Sequence, residues 1–342
     1  MDGRTAAGRT TDRGRAGGDQ GSAADTVQAV GEFALIGRIT AGVKYPESVQ
    51  LGPGDDAAIL AAPDGRVVVS TDVLVDGVHF RTDWASPEQI GRRAALAAMA
   101  DISAMGAVPT GLVVGLSAPA DTAVDVVLGI GKGLHDTAAE HGAAVVGGDV
   151  TRSPALTLSV TVLGDLRGER PVTRSGARSG DVVALAGRLG WAAAGLTVLS
   201  RGFRSPVSLV NAYRVPEPPL AAGPTAAASG ATSMIDVSDG LLADLGHVAR
   251  ASGVDIDVRT IALDVNPRLT EVASALGRDA LDWVLTGGDD HALVATFPHG
   301  ATLPPGWQPI GSVTVADPSG PRVTVDGAVR EGATGWTHFG SA

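Results

Sequence analysis

Residues 86–106 read SPEQIGRRAALAAMADISAMG, and this stretch decides the class of fold. Serine, proline and glutamine at its first, second and fourth positions are typical of a capping box with proline at the first helical position. The stretch therefore predicts a helix that ends at about Met105. Apolar runs of strand type flank it at residues 67–70 and 112–116. This strand, helix, strand order indicates a mixed α/β or α+β protein.

The same alternation extends outward from this helix and partly repeats in the second half of the chain. A cluster of Arg, Gly, Pro and Ser at residues 165–180 separates the halves. We predict a disordered tail at 1–26, which lacks apolar periodicity, a first domain at 27–167 and a second domain at 168–342. Further predicted strands lie at 144–146, 156–163, 182–186, 233–237 and 283–286, and further predicted helices at 121–141, 191–200 and 241–251.

Composition narrows the class of function. The 342 residues carry a formal net charge of -11, which argues against a nucleic-acid partner because phosphate backbones are bound by clustered Lys and Arg. The absence of cysteine excludes disulfides and thiolate metal sites and fits a cytoplasmic location. The most apolar stretch, residues 94–118, is interrupted by Asp101 and Pro109, so we expect no membrane span.

Acidic motifs recur at six places, and most of them directly follow an apolar run of strand type. Asp-Gly and Gly-Asp pairs are favoured turn residues, so each motif taken alone is more typical of a simple turn. Their repeated placement at strand ends is harder to explain in that way, and we interpret them as candidate functional residues. The motifs are Gly54-Asp55-Asp56, Ser70-Thr71-Asp72, Asp101, Gly147-Gly148-Asp149, Asp236-Val237-Ser238-Asp239-Gly240 and Gly287-Gly288-Asp289-Asp290.

Asp101 is the most informative of these residues. It shares a helical face with Ile90 and Met105, so the predicted helix carries a carboxylate on its apolar stripe. An isolated buried charge is strongly disfavoured and needs a hydrogen-bonding, cationic or metal partner. An ion pair with Arg92 or Arg93 is the alternative to a metal ion, although both arginines lie elsewhere around the helix.

Carboxylate and hydroxyl oxygens are the ligands that Mg²⁺ prefers, and each ion uses only one or two carboxylates beside water and substrate phosphate. Many aspartates therefore indicate several ions. Two phosphate-bearing substrates repel each other by about 4 kcal/mol per charge pair at about 4 Å and an effective dielectric of about 20. Divalent ions can remove this repulsion in a chain whose only lysines are Lys44 and Lys132. The residues alone thus predict a magnesium-dependent enzyme that handles nucleotide phosphates.

Several common catalytic signatures are absent from the sequence. There is no G-x-x-x-x-G-K-[ST] phosphate loop, no protein-kinase catalytic loop or D-F-G triplet, no G-x-S-x-G and no H-E-x-x-H. Gly187-Arg188-Leu189-Gly190, after a predicted strand, is a weak glycine loop for which packing and phosphate contact are equally good interpretations.

The order of the motifs matches a known family. The matching stretches run from Gly31-Glu32-Phe33-Ala34-Leu35-Ile36 and Gly54-Asp55-Asp56-Ala57-Ala58 to Gly335-Trp336-Thr337-His338-Phe339. Between them lie residues 70–80, 100–106, 147–149, 174–177 and 236–240. On these motifs, over residues 31–339, the chain resembles the thiamine-monophosphate kinase family of the aminoimidazole ribotide synthetase-like superfamily.

The resemblance implies two α/β domains, the first of which pairs its sheet with that of a second subunit in a homodimer. It implies phosphoryl transfer from ATP to thiamine monophosphate, the last step of thiamine diphosphate biosynthesis, with several Mg²⁺ ions and with K⁺ as a further candidate cofactor. By position, the metal ligands would be Asp56, Ser70, Thr71, Asp72, Asp101, Asp149, Asp236 and Asp239, and the ATP contacts would be Gly148, Asp149, Arg174 and Ser238.

On the acceptor side, the matching positions are His79, Asp289 and Trp336. An indole face attracts a thiazolium cation by roughly 0.5–2 kcal/mol, although a Trp near a C-terminus also packs at a rim, and a lone His is more often structural. The chain departs from the family's usual Gly-Gly-Glu-Asp-Tyr-Glu-Leu, because it has Asp289, His291 and Ala292 in place of the first Glu, the Tyr and the second Glu. The carboxylate of Asp289 is therefore one methylene shorter than the family's.

The second pKa of a phosphate monoester is about 6, so the acceptor needs little help from a base. We expect direct in-line transfer, with magnesium at the catalytic residues Asp72, Asp101 and Asp149 and with Arg174 on the ATP tail. The rival interpretations are an aminoimidazole ribotide synthetase, which shares the aspartate motifs, and an ATP-binding protein without turnover. Selenide dikinase and the hydrogenase-maturation carbamoyl enzyme fit less well, because they use cysteine or selenocysteine.

Overall fold

The computed structural model describes residues 26–53 and 58–336. The first half of the chain forms a four-stranded sheet with helices against one face, and a separate pair of short strands. Its helices are α1 (Val27–Val30), α2 (Glu32–Thr40), α3 (Pro87–Ala104) and α4 (Val124–Glu140), and its strands are β1 (Val49–Leu51), β2 (Ile59–Leu60), β3 (Val68–Val75), β4 (Val108–Ala118), β5 (Ala144–Arg152) and β6 (Thr157–Asp165). The strand order is β3-β6-β4-β5, with β4 parallel to β5 and the other neighbours antiparallel.

The second half contains a six-stranded sheet. Its strands are β7 (Val182–Ala186), β8 (Ser233–Val237), β9 (Val254–Val258), β10 (Ala292–Phe297), β11 (Trp307–Val315) and β12 (Val323–Val325), and its helices are α5 (Trp191–Ser200), α6 (Val207–Arg214), α7 (Ala222–Ala228), α8 (Leu241–Ser252), α9 (Pro267–Leu276) and α10 (Ala280–Thr286). A 3₁₀ turn covers Thr260–Ala262. The strand order is β12-β9-β11-β7-β10-β8, and only β12 and β9 pair in parallel.

Helix α3 begins as the sequence predicts. The Ser86 side chain accepts a hydrogen bond from the Gln89 N–H at 3.3 Å, and the Gln89 side chain accepts one from the Ser86 N–H at 3.0 Å. Pro87 occupies the first helical position, where its missing N–H costs nothing. Two otherwise unpaired backbone donors are thereby satisfied, and the start of the helix is defined.

Helices α3 and α4 pack with their backbones almost in contact. A Cβ built on Gly91 would lie 2.1 Å from the Ile130 carbonyl oxygen, and one on Gly133 would lie 2.1 Å from the Glu88 carbonyl oxygen. No side chain fits at either position, so packing this close requires glycine at both. The close pair fixes α3 against the sheet.

Helix α3 also contacts the second half of the chain. The Ser103 hydroxyl donates to the Leu220 carbonyl oxygen at 2.7 Å, and a Cβ on Gly223 would lie 1.9 Å from the Ser103 carbonyl oxygen. Helix α3 therefore packs against elements of both halves of the chain.

The four-stranded sheet has one covered and one uncovered face. Along β3, Leu74 is buried beneath the helices, while Val69 and Val73 on the opposite face are 63% and 51% exposed. Ser70 and Asp72 alternate with the two valines and therefore share the helix-covered face with Leu74. We call the other surface, which carries Val69, Thr71, Val73 and Val113, the outer sheet face.

Most predicted elements are confirmed, with three corrections. The strands at 67–70 and 144–146 do not stop at acidic turns: β3 and β5 run on to Val75 and Arg152, so Asp72 and Asp149 lie within strands. The predicted strand at 283–286 is wrong, because these residues belong to helix α10. In the described ranges, no helix is long and apolar enough to cross a membrane.

Two predictions on organisation are not decided by the fold. The predicted tail at 1–26 lies almost wholly outside the described residues. The chain passes from the four-stranded to the six-stranded sheet between Asp165 and Val182, and the domain boundary near residue 167 stays a prediction.

Candidate active site

Carboxylates from both halves of the chain meet beside α3. Asp72 lies on β3, Asp101 on α3 and Asp236 near the end of β8, and the Ser70 hydroxyl donates to the Asp101 carboxylate at 2.5 Å. Burial, together with the charges of Asp236 and Asp72, raises the pKa of Asp101 from 3.8 to about 6. Burial, with the charge of Asp236, also raises the pKa of Asp72. These four residues, the acidic cluster, concentrate negative charge that a cation would relieve.

The alternative of an ion pair for Asp101 is not realised in the described residues. Arg92 pairs instead with Glu140 at 2.8 Å, and Arg93 pairs with Asp289 at 2.7 Å. The basic group whose charge acts on Asp101 is His291. Asp101 therefore keeps the unfavourable environment that the sequence predicts for a carboxylate on an apolar stripe.

His291 is bound directly to the acidic cluster. Its Nδ1 lies 3.1 Å from the Asp236 carboxylate, and both side chains are buried. Burial opposes a charged imidazole, but the hydrogen bond and charge of Asp236 outweigh it and raise the pKa of His291. The residue that replaces the family's usual Tyr thus brings a basic group to the cluster, which the sequence resemblance alone did not predict.

The three residues expected on the acceptor side lie on separate elements around this point. His79 Nδ1 accepts a hydrogen bond from the Val75 N–H at 3.0 Å. Because Nδ1 is an acceptor there, the proton of the neutral ring is on Nε2. Asp289 has φ 69°, and the Arg93 guanidinium contacts its carboxylate. Desolvation opposes ionisation of Asp289, but Arg93, together with the charges of His291 and His79, outweighs it and lowers the pKa of Asp289.

Trp336 is attached to the turn that follows β8. Its backbone N–H donates to the Asp239 carbonyl oxygen at 2.9 Å, and the residue is 62% exposed. Asp244, which the sequence analysis did not single out, holds the same turn: its carboxylate accepts hydrogen bonds from the N–H groups of Asp239 and Gly240, both at 3.0 Å. Burial raises the pKa of Asp244 to about 7. An aspartate inside the apolar start of α8 was the signal that could have identified it.

Asp290 has a structural role. Its two carboxylate oxygens accept hydrogen bonds from the N–H groups of Trp191 at 3.1 Å and Ala192 at 2.9 Å, at the start of α5. A carboxylate therefore already occupies the anion-binding end of this helix. Arg188 pairs with Glu217 at 3.0 Å. These contacts favour packing over phosphate contact for the glycine loop at residues 187–190.

Asp149 lies apart from the acidic cluster of its own chain. Asp149 pairs with Gly115, Gly115 with Ser159, and Ser159 with Val73, so Asp149 is three strands from β3. Three strand spacings amount to about 14 Å. Directly paired residues share a face, so Asp149 lies on the outer sheet face with Val73, and Asp72 lies on the other. One ion cannot be bound by Asp72 and Asp149 of the same chain.

A cavity of about 520 Å³ lies beside Gly148 and Asp149, between α2, α4, β4 and β5. Its walls are mainly apolar, and the His135 ring lines it. Within the described part of the chain, His135 Nε2 is buried without a hydrogen-bond partner, and burial lowers the pKa of His135. The cavity can therefore accommodate a flat, uncharged ring that hydrogen-bonds to a neutral imidazole.

The segment that carries Arg174 is held by Ser252 at the end of α8. The Ser252 hydroxyl accepts hydrogen bonds from the N–H groups of Gly176 and Ala177, both at 3.1 Å, and donates to the Arg174 carbonyl oxygen at 3.0 Å. Ser238 directly follows β8, and its carbonyl oxygen accepts from the Asp289 N–H at 2.9 Å.

The predicted metal ligands are only partly assembled. Asp56 lies outside the described residues, and the Thr71 hydroxyl meets that of Thr161 on the outer sheet face at 3.1 Å. Across residues 26–53 and 58–336, no three acidic or histidine side chains converge closely enough to hold a metal ion. The donors of the acidic cluster are nevertheless all oxygens, which fits magnesium chemistry. The ligand set stays a prediction.

Comparisons with known proteins place these observations in a family. Residues 54–166 match the family model "AIR synthase related protein, N-terminal domain". The chain is 49% identical over 317 residues to the thiamine-monophosphate kinase of Mycobacterium tuberculosis, covering 92% of this chain and 93% of that protein. It is 41% identical over 322 residues to the thiamine-monophosphate kinase of Corynebacterium glutamicum, covering 92% and 95%.

Solved structures agree with these relatives. The structure described as "AaThiL complexed with AMPPCP and TMP" superposes with a TM-score of 0.75 at 30% identity, covering 93% of this chain and 100% of that one. The thiamine-monophosphate kinase of Stenotrophomonas maltophilia gives a TM-score of 0.73 at 33% identity, covering 86% and 95%. The hydrogenase maturation protein HypE of E. coli, at 19% identity and a TM-score of 0.65 with 86% and 93% covered, shares the fold.

Proposed function

The chain belongs to the thiamine-monophosphate kinase family, and we infer that it phosphorylates thiamine monophosphate with ATP, forming thiamine diphosphate and ADP. It is an ATP-dependent phosphotransferase whose acceptor is itself a phosphate group. The observation that carries this inference is the acidic cluster, which joins carboxylates of both halves next to the acceptor-side residues. Such a site can gather the divalent ions that two phosphate-bearing substrates require.

Magnesium is part of the proposal, and the chemistry of the acidic cluster supports it. When bound, the ions screen the negative charges of ATP and of the acceptor phosphate. The environment that raises the pKa of Asp101 becomes favourable for its ionised form once a cation is near. K⁺ is a further candidate cofactor. The proposed ligands are Asp56, Ser70, Thr71, Asp72, Asp101, Asp149, Asp236 and Asp239.

The protein's own contribution to the reaction is positioning. The acceptor phosphate is largely a dianion at neutral pH, because its second pKa is about 6, so no side chain has to remove a proton. We propose direct in-line transfer without a phosphoenzyme, in which the protein aligns the acceptor oxygen with the γ-phosphate. Trp336, Asp289 and His79 would bind the thiamine end, and Arg174 with Ser238 would bind the triphosphate.

The base of ATP is proposed to enter the cavity beside Gly148. The cavity's volume of about 520 Å³ and its apolar walls suit a purine ring. The His135 Nε2, which lacks a partner among the described residues, would find one on the base. Gly148 itself has no room for a side chain, because a Cβ there would lie 2.2 Å from the Val114 carbonyl oxygen.

We propose that the protein is a cytoplasmic homodimer in which two copies cover each other's outer sheet face. Val69, Val73 and Val113 leave this face apolar, at 63%, 51% and 38% exposure, and such faces are normally covered by another sheet or subunit. Asp149 lies on the outer sheet face, where it cannot reach Asp72 of its own chain. Because β3, which carries Asp72, is an edge strand of the sheet, a group of the partner subunit can approach the acidic cluster past that edge. We propose that Asp149 completes the acidic cluster of the partner subunit in this way.

The test is a direct assay of the purified protein with ATP, magnesium and thiamine monophosphate, in which thiamine diphosphate and ADP are both measured. We expect equal amounts of the two products and none when magnesium is removed with EDTA. ATP binding without either product would identify a non-catalytic protein. ADP release only with formylglycinamidine ribonucleotide would identify the synthetase reaction and refute the proposal.

A further inference from the structure

Arg93 is a buried cation that crosses from one half of the chain to the other. It belongs to α3, and only 4% of it is exposed. Its guanidinium donates to the Tyr213 carbonyl oxygen, lies 4.9 Å from the centre of the Tyr213 ring and pairs with Asp289 at 2.7 Å. All these contacts are with the second half of the chain. Burying an arginine is unfavourable unless its partners are well placed, so this geometry is specific.

Asp289 is held at both its backbone and its side chain. Its N–H donates to the Ser238 carbonyl oxygen at 2.9 Å, and its φ of 69° is unusual for a residue with a side chain. Arg93 contacts Oδ1, while the side chain remains 42% exposed. No described residue donates a hydrogen bond to Oδ2, so one oxygen of this half-exposed carboxylate is anchored and the other is left for a ligand.

We propose that Arg93 is a positioning residue for the acceptor: it fixes Asp289 so that the second carboxylate oxygen contacts the cationic thiamine end. This inference rests on the proposed function for the identity of the acceptor. The short Asp289 side chain cannot reach far by itself, so its position is set by the turn and by Arg93. The partner recognised by Oδ2 would be a hydrogen-bond donor or a positive charge of the substrate.

The experiment separates the two substrates by steady-state kinetics, with KM for thiamine monophosphate and KM for ATP measured independently. Arg93→Gln removes the charge while keeping a polar side chain. We expect KM for thiamine monophosphate to rise roughly tenfold or more, the scale of one lost charge-assisted contact. KM for ATP should stay within about twofold, because Arg93 is expected to act only on the acceptor side.

Two further variants keep the test decisive if Arg93→Gln is poorly folded. Asp289→Asn removes the anion from the exposed end of the pair and should raise the same KM, and the double variant should be no worse than the single ones because both lose one contact. Arg93→Lys keeps the charge and should recover part of the affinity. The matched control is Arg92→Gln, one residue earlier on α3, whose partner Glu140 lies away from the site.

Equal changes in both KM values, or a lower melting temperature of Arg93→Gln with an unchanged KM for thiamine monophosphate, would show that Arg93 only stabilises the fold. Calorimetric binding of thiamine monophosphate to wild type and variants makes the result independent of turnover. If wild type binds the acceptor but forms no thiamine diphosphate, the proposed function fails, while a selective loss of binding in Arg93→Gln would still support the positioning role. If wild type does not bind the acceptor, both fail.

Discussion

Asp101→Asn should make the metal-free protein more stable and much less active. The substitution replaces a carboxylate in the acidic cluster with a neutral group of the same shape. The amide oxygen can still accept the hydrogen bond from Ser70, which lies 2.5 Å from the carboxylate. What is lost is the charge, and in the folded protein that charge is unfavourable because burial and the neighbouring carboxylates raise the pKa of Asp101.

The size of the gain follows from that pKa. A rise from 3.8 in the unfolded chain to about 6 in the folded protein corresponds to at most about 3 kcal/mol of lost stability above pH 6. Asp72 and Asp236 share the repulsion and relax when one charge is removed, so we expect about 1–2 kcal/mol for the variant. Because the pKa is raised, folding takes up protons, and the destabilisation grows as pH rises from about 4 through 6.

Urea unfolding in EDTA at pH 7.5 and at pH 4 measures this directly. The variant should be more stable than wild type at pH 7.5. At pH 4 the carboxyl group is protonated in the folded protein and only partly ionised in the unfolded chain, so the two stabilities should agree within about 0.5 kcal/mol. Asp136→Asn, which removes an exposed carboxylate paired with Lys132 at 2.8 Å, is the control and should change stability by less than about 1 kcal/mol at either pH.

Saturating magnesium should remove or reverse the advantage of the variant, because an ion bound by the native state stabilises wild type by mass action. The same variant should lose at least about 10²-fold in kcat. A variant less stable than wild type in EDTA at pH 7.5, or a gain at pH 4 as large as that at pH 7.5, would refute the view that Asp101 is an unfavourable charge kept for a cation.

Three other changes test neighbouring parts of the argument. Asp72→Asn should lower kcat by about 10² or more, and turnover close to wild type would remove Asp72 from the proposed ligands. Mixing inactive Asp72→Asn and Asp149→Asn proteins after subunit exchange should restore roughly a quarter of wild-type activity if each site uses both subunits, whereas no recovery would place both residues in one chain's site. Gly91→Ala should lower the free energy of unfolding by at least about 2 kcal/mol, measured by urea titration, because its Cβ would lie 2.1 Å from the Ile130 carbonyl oxygen; an unchanged midpoint would contradict the close α3–α4 packing.

Local sequence signals predicted many of the helices and strands. The capping box at Ser86 defined the start of α3, and the helical spacing of Asp101 with Ile90 placed its carboxylate on the covered face. The strand predicted at 283–286 failed because a short apolar run does not distinguish a strand from a buried helix. The overlooked signal was Asp279, whose side chain accepts from the Leu281 N–H at 2.9 Å and starts α10.

The composition of the site depends on strand pairing, which local sequence does not specify. Asp72 and Asp149 both follow apolar runs and read alike, yet the order β3-β6-β4-β5 separates them by three strands. A shift of one residue in any of these pairings would exchange the face that Asp149 occupies. The prediction that both bind magnesium remains open, but their joint action on one ion requires a second subunit.

The turn at residues 289–291 connects the two sides of the site. Asp289 contacts α3 through Arg93, Asp290 caps α5, and His291 binds Asp236 in the acidic cluster. Asp289 and His291 both have positive φ, at 69° and 51°, a conformation that costs about 1–3 kcal/mol per residue unless the surroundings hold it. Three side-chain contacts in succession supply that restraint. A cation that competes with His291 for Asp236 would therefore act on the same turn that presents Asp289, so metal binding and acceptor binding should be energetically coupled.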